Sequence, residues 1–131
     1  MTDPRTILWQ ARQGAVPADW RVFTKRRGKL SGFFRGTSDH PDPLLVITPD
    51  VAVEYISERK PLTIVAFHEL SGMKLRVAGS DSSAIVYSWI DLRYVDGRKK
   101  KWPSGRFAND LEAIQGFIEA YGAHKALRGY A

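Results

Sequence analysis

From Leu44 onward the apolar residues arrive in short β-branched runs divided by turn residues: Leu44 to Thr48, Val51 to Ser57, Leu62 to His68, Met73 to Ala78 and Ile85 to Val95. Runs of this length bounded by Pro, Asp, Gly and Ser predict antiparallel strands. Pro49-Asp50 joins the first two as a hairpin, Ser71-Gly72 divides the next pair, and Gly79 to Ser83 reads as a polar loop. Asp96-Gly97 closes the last hairpin, and the pattern decides its register. A two-residue loop would set Leu92 opposite Lys101 and mix charge with apolar groups on both faces. A three-residue loop with Gly97 in the left-handed conformation sets Ile90 opposite Trp102 and Asp91 opposite Lys101. The second arrangement is expected, with Ile90 and Trp102 inward and Lys99 and Lys101 outward.

The periodicity changes after the last strand. Phe107, Leu111, Ile114, Phe117, Ile118 and Tyr121 form one stripe of an amphipathic helix. The spacing predicts a helix over 109–121 lying on the sheet, with Asn109 and Glu112 as a capping box, Gly122 as C-cap, and the tail from Ala123 as a short frayed extension. At the other end, Asp3-Pro4 starts a short helix that Gly14 closes. Trp20 to Lys25 alternates as a strand does, and so does Lys29 to Arg35 despite Gly32, which gives one strand candidate more than a seven-stranded fold has places. Thr37 to Pro43 is a loop. The chain reads as a single domain over 1–131: an N-terminal appendage (1–20), a β-sandwich (21–106), a capping helix (107–122) and a tail (123–131).

Composition narrows the classes. A chain of 131 residues without cysteine has neither disulfides nor thiolate metal ligands, and is long enough to bury a core unaided. No apolar run reaches the roughly 18 residues of a membrane span, so no integral membrane insertion is expected. The expected location is the cytoplasm, with a peripheral position at a membrane as the alternative. The net charge of +6 is uneven: residues 1–36 carry eight of the 20 Lys and Arg against two of the 14 Asp and Glu, and the rest of the chain is neutral. Arg21, Lys25, Arg26, Arg27, Lys29 and Arg35 follow one another without an acid, interleaved with Phe23, Phe33 and Phe34. A second island runs through Arg98, Lys99, Lys100 and Lys101 and is followed by Arg106, its lysines placed alternately by the hairpin register. Basic and aromatic residues together suit an anionic membrane or single-stranded nucleic acid. Solvated strand and loop residues flanking core aromatics are the plainer reading.

The runs LLVITPDVAVEYIS (44–57), LTIVAFHEL (62–70), WIDLRYVDGRKKKW (89–102) and FANDLEAIQGFIEAY (107–121) together resemble the pleckstrin-homology-like superfold, in particular small bacterial members and GRAM-type domains. The resemblance implies a PH-like antiparallel β-sandwich or barrel of about seven strands, plugged at one end by the C-terminal helix. It also implies a non-catalytic binding module that engages a protein or peptide, or itself as a homo-oligomer. PH-like domains that bind inositides use a basic loop between their first two strands. If Lys29 to Arg35 is the first strand, that loop is TSDHPDP; if Leu44 to Thr48 is, it is Pro49-Asp50. Neither supplies a phosphate cradle, so inositide recognition is not expected.

No catalytic constellation, metal site or cofactor is expected. His40, His68 and His124 share no ligand spacing, and neither a nucleophile elbow nor a phosphate-binding glycine loop occurs. His68, near a strand end, reads as a structural histidine. Trp89 lies on the face opposite Ile90 and Leu92, beside Asp91 and Arg93. It needs cover from Trp9, Trp20 or Phe33, or else it anchors a partner, which makes Trp89 and Arg93 the candidate partner surface.

Overall fold

The computed structural model describes residues 3–24, 42–79, 86–103 and 107–127. The element order is α1 (Pro4–Gln13), β1 (Arg21–Thr24), β2 (Leu44–Ile47), β3 (Val51–Tyr55), β4 (Thr63–Ala66), a 3-10 turn (Phe67–Glu69), β5 (Leu70–Gly79), β6 (Val86–Tyr94), β7 (Lys99–Trp102) and α2 (Leu111–Leu127). The strands form two antiparallel sheets, β1-β2-β3-β4 and β5-β6-β7. The protein is therefore mainly β with a helix at each end. The strand candidate at 29–35 lies outside the described residues.

Both faces of the four-stranded sheet are covered. On one, α1 sets Ile7 and Leu8 against Leu44, Val46, Val51 and Val53, with Trp20 and Tyr55 at the margin. On the other, Leu45, Ile47, Ala52 and Val65 meet Ile90, Leu92 and Trp102 of the second sheet and Ile114 and Phe117 of α2. Strands packed on both sides have no solvent face to mark with polar residues, which explains the unbroken Leu44-Leu45-Val46-Ile47. The β2–β3 hairpin turns at Pro49-Asp50 as expected, although no glycine follows Asp50. The Thr48 hydroxyl accepts from the Asp50 and Val51 amides at 3.2 and 3.1 Å and so takes up turn donors.

At the centre of the core Trp102 lies over Phe117, ring centroids 4.4 Å apart, and Phe67 meets Phe117 edge-on at 5.3 Å. Gly116 lets α2 sit close on the first sheet: a Cβ there would lie 3.0 Å from Arg21 Cδ and 3.4 Å from Phe23 Cζ. Arg21 then reaches Glu119 across the helix at 2.7 Å.

Several expectations are corrected. Leu62 to His68 and Met73 to Ala78 are not partners across a turn at Ser71-Gly72. The chain bends at the 3-10 turn, β4 pairs with β3, and β5 pairs with β6 in the other sheet. Ser71-Gly72 instead lies inside β5, where the register shifts by a bulge between Leu70 and Gly72. Helix α2 starts later and runs further than the stripe implied. Asp110 is its cap, its Oδ1 accepting from the Ala113 amide at 3.1 Å, while Asn109 adopts φ 66° and accepts from the Ser88 amide at 2.8 Å, pinning the connection to β6. Leu111, at the first turn, is exposed. Gly122 does not end the helix, which continues to Leu127 and buries His124 against the Phe67 ring at 5.7 Å.

β1 pairs with β2. Lys25, Arg26, Arg27, Lys29 and Arg35, which follow β1 in the sequence, lie outside the described residues.

Candidate anion-binding face

The hairpin between β6 and β7 has the register expected from its pattern: Ile90 opposite Trp102, Asp91 opposite Lys101, and Arg93 opposite Lys99. Gly97 takes φ 94°, and the amide of Tyr94 donates to the Arg98 carbonyl at 2.9 Å, closing a three-residue loop. With Ile90 and Trp102 wholly buried, alternation turns Trp89, Asp91, Arg93, Lys99 and Lys101 to the outer face. On the other side of β6, β5 aligns Arg76 with Trp89, Lys74 with Asp91, and Gly72 with Arg93. The outer face of β5–β7 is thus three cross-strand rows: Gly72, Arg93 and Lys99; Lys74, Asp91 and Lys101; Arg76 and Trp89. An open groove of about 570 Å³ runs over it.

Five cations surround one carboxylate on this face. Asp91 accepts from Arg76 Nε on one oxygen and from the Trp89 indole N–H on the other, each at 2.9 Å. The hydrogen bond from Arg76 holds the Asp91 carboxyl below the ordinary carboxylate range, helped by the indole N–H and the Lys101 charge against the opposing effect of partial desolvation. Asp91 therefore stays ionised and acts as a fixed anchor between two side chains. Among the described residues no acid pairs with Lys74, Arg93 or Lys99. Gly72 puts no side chain opposite Arg93, and a Cβ there would meet nothing within 4 Å. That gap widens the groove beside Arg93.

Trp89 is half-buried, and among the described residues a lysine lies over its ring. Lys101 Nζ sits 5.0 Å above the ring centroid. Trp20 instead belongs to the layer between α1 and the first sheet, Trp9 is exposed, and Phe33 lies outside the described residues. The indole consequently lies along β6, tied at its N–H and covered on one face by a cation.

The structure brings Trp89, Arg93, Lys99 and Lys101 together, which the sequence placed in two separate candidate surfaces. It adds Lys74 and Arg76, which no local motif marked. Of the remaining candidates among the described residues, Arg98 bonds to Asp96 at 2.7 Å and covers the Tyr94 ring at 4.6 Å, and Arg21 is tied to Glu119. A second open groove, between α1 and the 57–62 loop, carries Arg5, Trp9, Arg12, Arg59 and Lys60, with Arg12 over the Tyr55 ring at 5.0 Å. His68 is half-exposed, its Nε2 4.0 Å from a Glu69 carboxylate oxygen. Among the described residues no group of three or more His, Asp or Glu side chains could hold a metal ion, and no helix is long and apolar enough to cross a membrane. Set against protein-family models, curated proteins and solved structures, the chain matches none, so the face has to be read from its own chemistry.

Proposed function

We propose that the protein is a non-catalytic binding module of PH-like fold that holds an anionic partner on the outer face of β5–β7. The resemblance is supported by the order of four strands, three strands and a C-terminal helix on the core. The observation that carries the binding reading is the set of five cations around a single acid already committed to Arg76 and Trp89. Clustered charge on one face makes a local potential that draws polyanions, whatever the distant acids do. A carboxylate held ionised by two donors is a poor proton shuttle, so the groove is built to attract charge and not to move protons.

A protein segment is the second reading, and β5 favours it. This strand is the edge of its sheet, and among the described residues nothing pairs with its outer side. Leu75 and Val77 are exposed on one face while Lys74 and Arg76 project from the other. An extended segment with alternating apolar and acidic residues fits that edge. Self-association through β5 in the antiparallel two-fold register centred on Leu75 is disfavoured, since it would set Lys74 against Arg76 of the second copy.

Retention on a heparin column tests the main reading. The wild-type protein elutes at higher salt than the Lys99→Glu/Lys101→Glu variant, both showing the same circular dichroism. Equal elution would reject the face as the anion site.

A further inference from the structure

Resting on that reading, we infer that the β5–β7 face is a platform for single-stranded nucleic acid, with Trp89 as the surface on which a base stacks. Trp89 lies on the central strand of the three, with Arg76 beside it on β5 and Lys101 above it from β7. Its N–H is tied to Asp91, two residues further along the same strand. That bond holds the indole along the sheet and leaves Lys101 as the movable cover. A phosphate draws Lys101 off the ring, because an ammonium gains more from an anion than from an exposed aromatic face. The ring freed in this way shares the outer face with Lys74, Arg93 and Lys99, where the neighbouring phosphates of a strand would be neutralised. A cationic surface that tracks the backbone and an aromatic that takes a base are the two parts of sequence-tolerant single-strand binding.

The other anionic partners use this arrangement less completely. A membrane surface calls for cations and apolar side chains in one plane, but Leu75 and Val77 share the face of Ile90 and Ser88, opposite the cations. A duplex keeps its bases stacked inside and offers no ring to the indole. An acidic peptide satisfies the cations and has no use for an indole lying flat beneath a lysine.

The test measures binding of the full chain to a fluorescein-labelled oligothymidylate of about twelve residues and to an abasic strand of the same length and charge. The expected result is about ten- to hundredfold tighter binding of the strand that has bases, with the ratio falling towards one in Trp89→Ala and largely restored in Trp89→Phe. Equal affinity of the wild-type protein for the two strands overturns the inference, as does binding to vesicles of anionic phospholipid without binding to the oligothymidylate. The parent reading is judged separately. If Lys99→Glu/Lys101→Glu leaves binding of both strands unchanged, the face is not an anion site at all; if both are lost and the ratio is one, only the base-stacking step fails.

Discussion

The salt dependence of binding to this face follows from which cations are free. Of the five, Arg76 is committed to Asp91, which leaves Lys74, Arg93, Lys99 and Lys101 to release counterions when phosphates arrive. For a flexible single strand, the slope of log K against log salt is about −0.7 per neutralised phosphate, so four cations give about −2.8. Between about 50 and about 200 mM salt the wild-type affinity for a labelled oligothymidylate should then fall about fiftyfold. Replacing Lys99 and Lys101 by Gln removes two contacts, reduces the slope to about −1.4 and the loss to about sevenfold. Arg98→Gln is the contrast, because Arg98 lies in the same basic run but is bonded to Asp96; it should change the slope by less than about 0.3. Fluorescence anisotropy at four or five salt concentrations resolves these slopes. If Arg98→Gln lowers the slope as much as either lysine replacement, the run acts as a block of charge and the register argument is wrong. A slope unaffected by the double substitution would remove the face from the binding reaction.

Four further outcomes follow from single positions. Because Arg76 holds the Asp91 carboxyl low, its folded value lies beneath its unfolded one; the stabilisation is complete above the ordinary value of about 4 and is lost as pH falls through the lower folded value. A carbon-13 titration should place the Asp91 midpoint below that of a free aspartate and move it upward in Arg76→Ala; an unmoved midpoint would contradict the assigned cause. Removing the one acid of the groove by Asp91→Asn should tighten oligothymidylate binding roughly threefold at low salt, about 0.6 kcal/mol for a unit charge some 7 Å away in water. In urea unfolding, Gly97→Ala should cost about 1 kcal/mol from the left-handed turn, and Asp110→Ala about 1 kcal/mol from the lost cap, while Asp110→Asn should keep most of it.

The hairpin around Gly97 was legible because alternation makes a one-residue slip exchange every inward and outward residue, and only one loop length put Ile90 with Trp102. The face built on it was less visible. Lys74 and Arg76 reach Trp89 and Asp91 only through the pairing of β5 with β6, and a bulge at Ser71-Gly72, which resembled a turn, sets that pairing. Summed along the chain, residues 37–131 are neutral, yet pleating collects their cations on one side of three strands. The division into two sheets was hidden for a similar reason, since the bend at Phe67–Glu69 contains neither Gly nor Pro. At the start of α2, Asn109 and Asp110 are both good caps by composition. The choice between them depends on Asn109 being used to hold the Ser88 amide, a contact across 21 residues.

The layer formed by α1 has a consequence for how this protein tolerates change. By sealing the outer side of β2 and β3, it ties substitutions on either face of the first sheet to the density of a packed interior, where the loss of a few methylene groups costs several kcal/mol. Among the described residues, the second sheet is anchored through one side only. Positions 74, 93, 99 and 101 can therefore be altered in charge and shape with little effect on unfolding free energy. Variants made there report on ligand choice, free of the folding defects that confuse mutagenesis elsewhere in the chain, and the same scaffold could be given a different partner by rewriting that face alone.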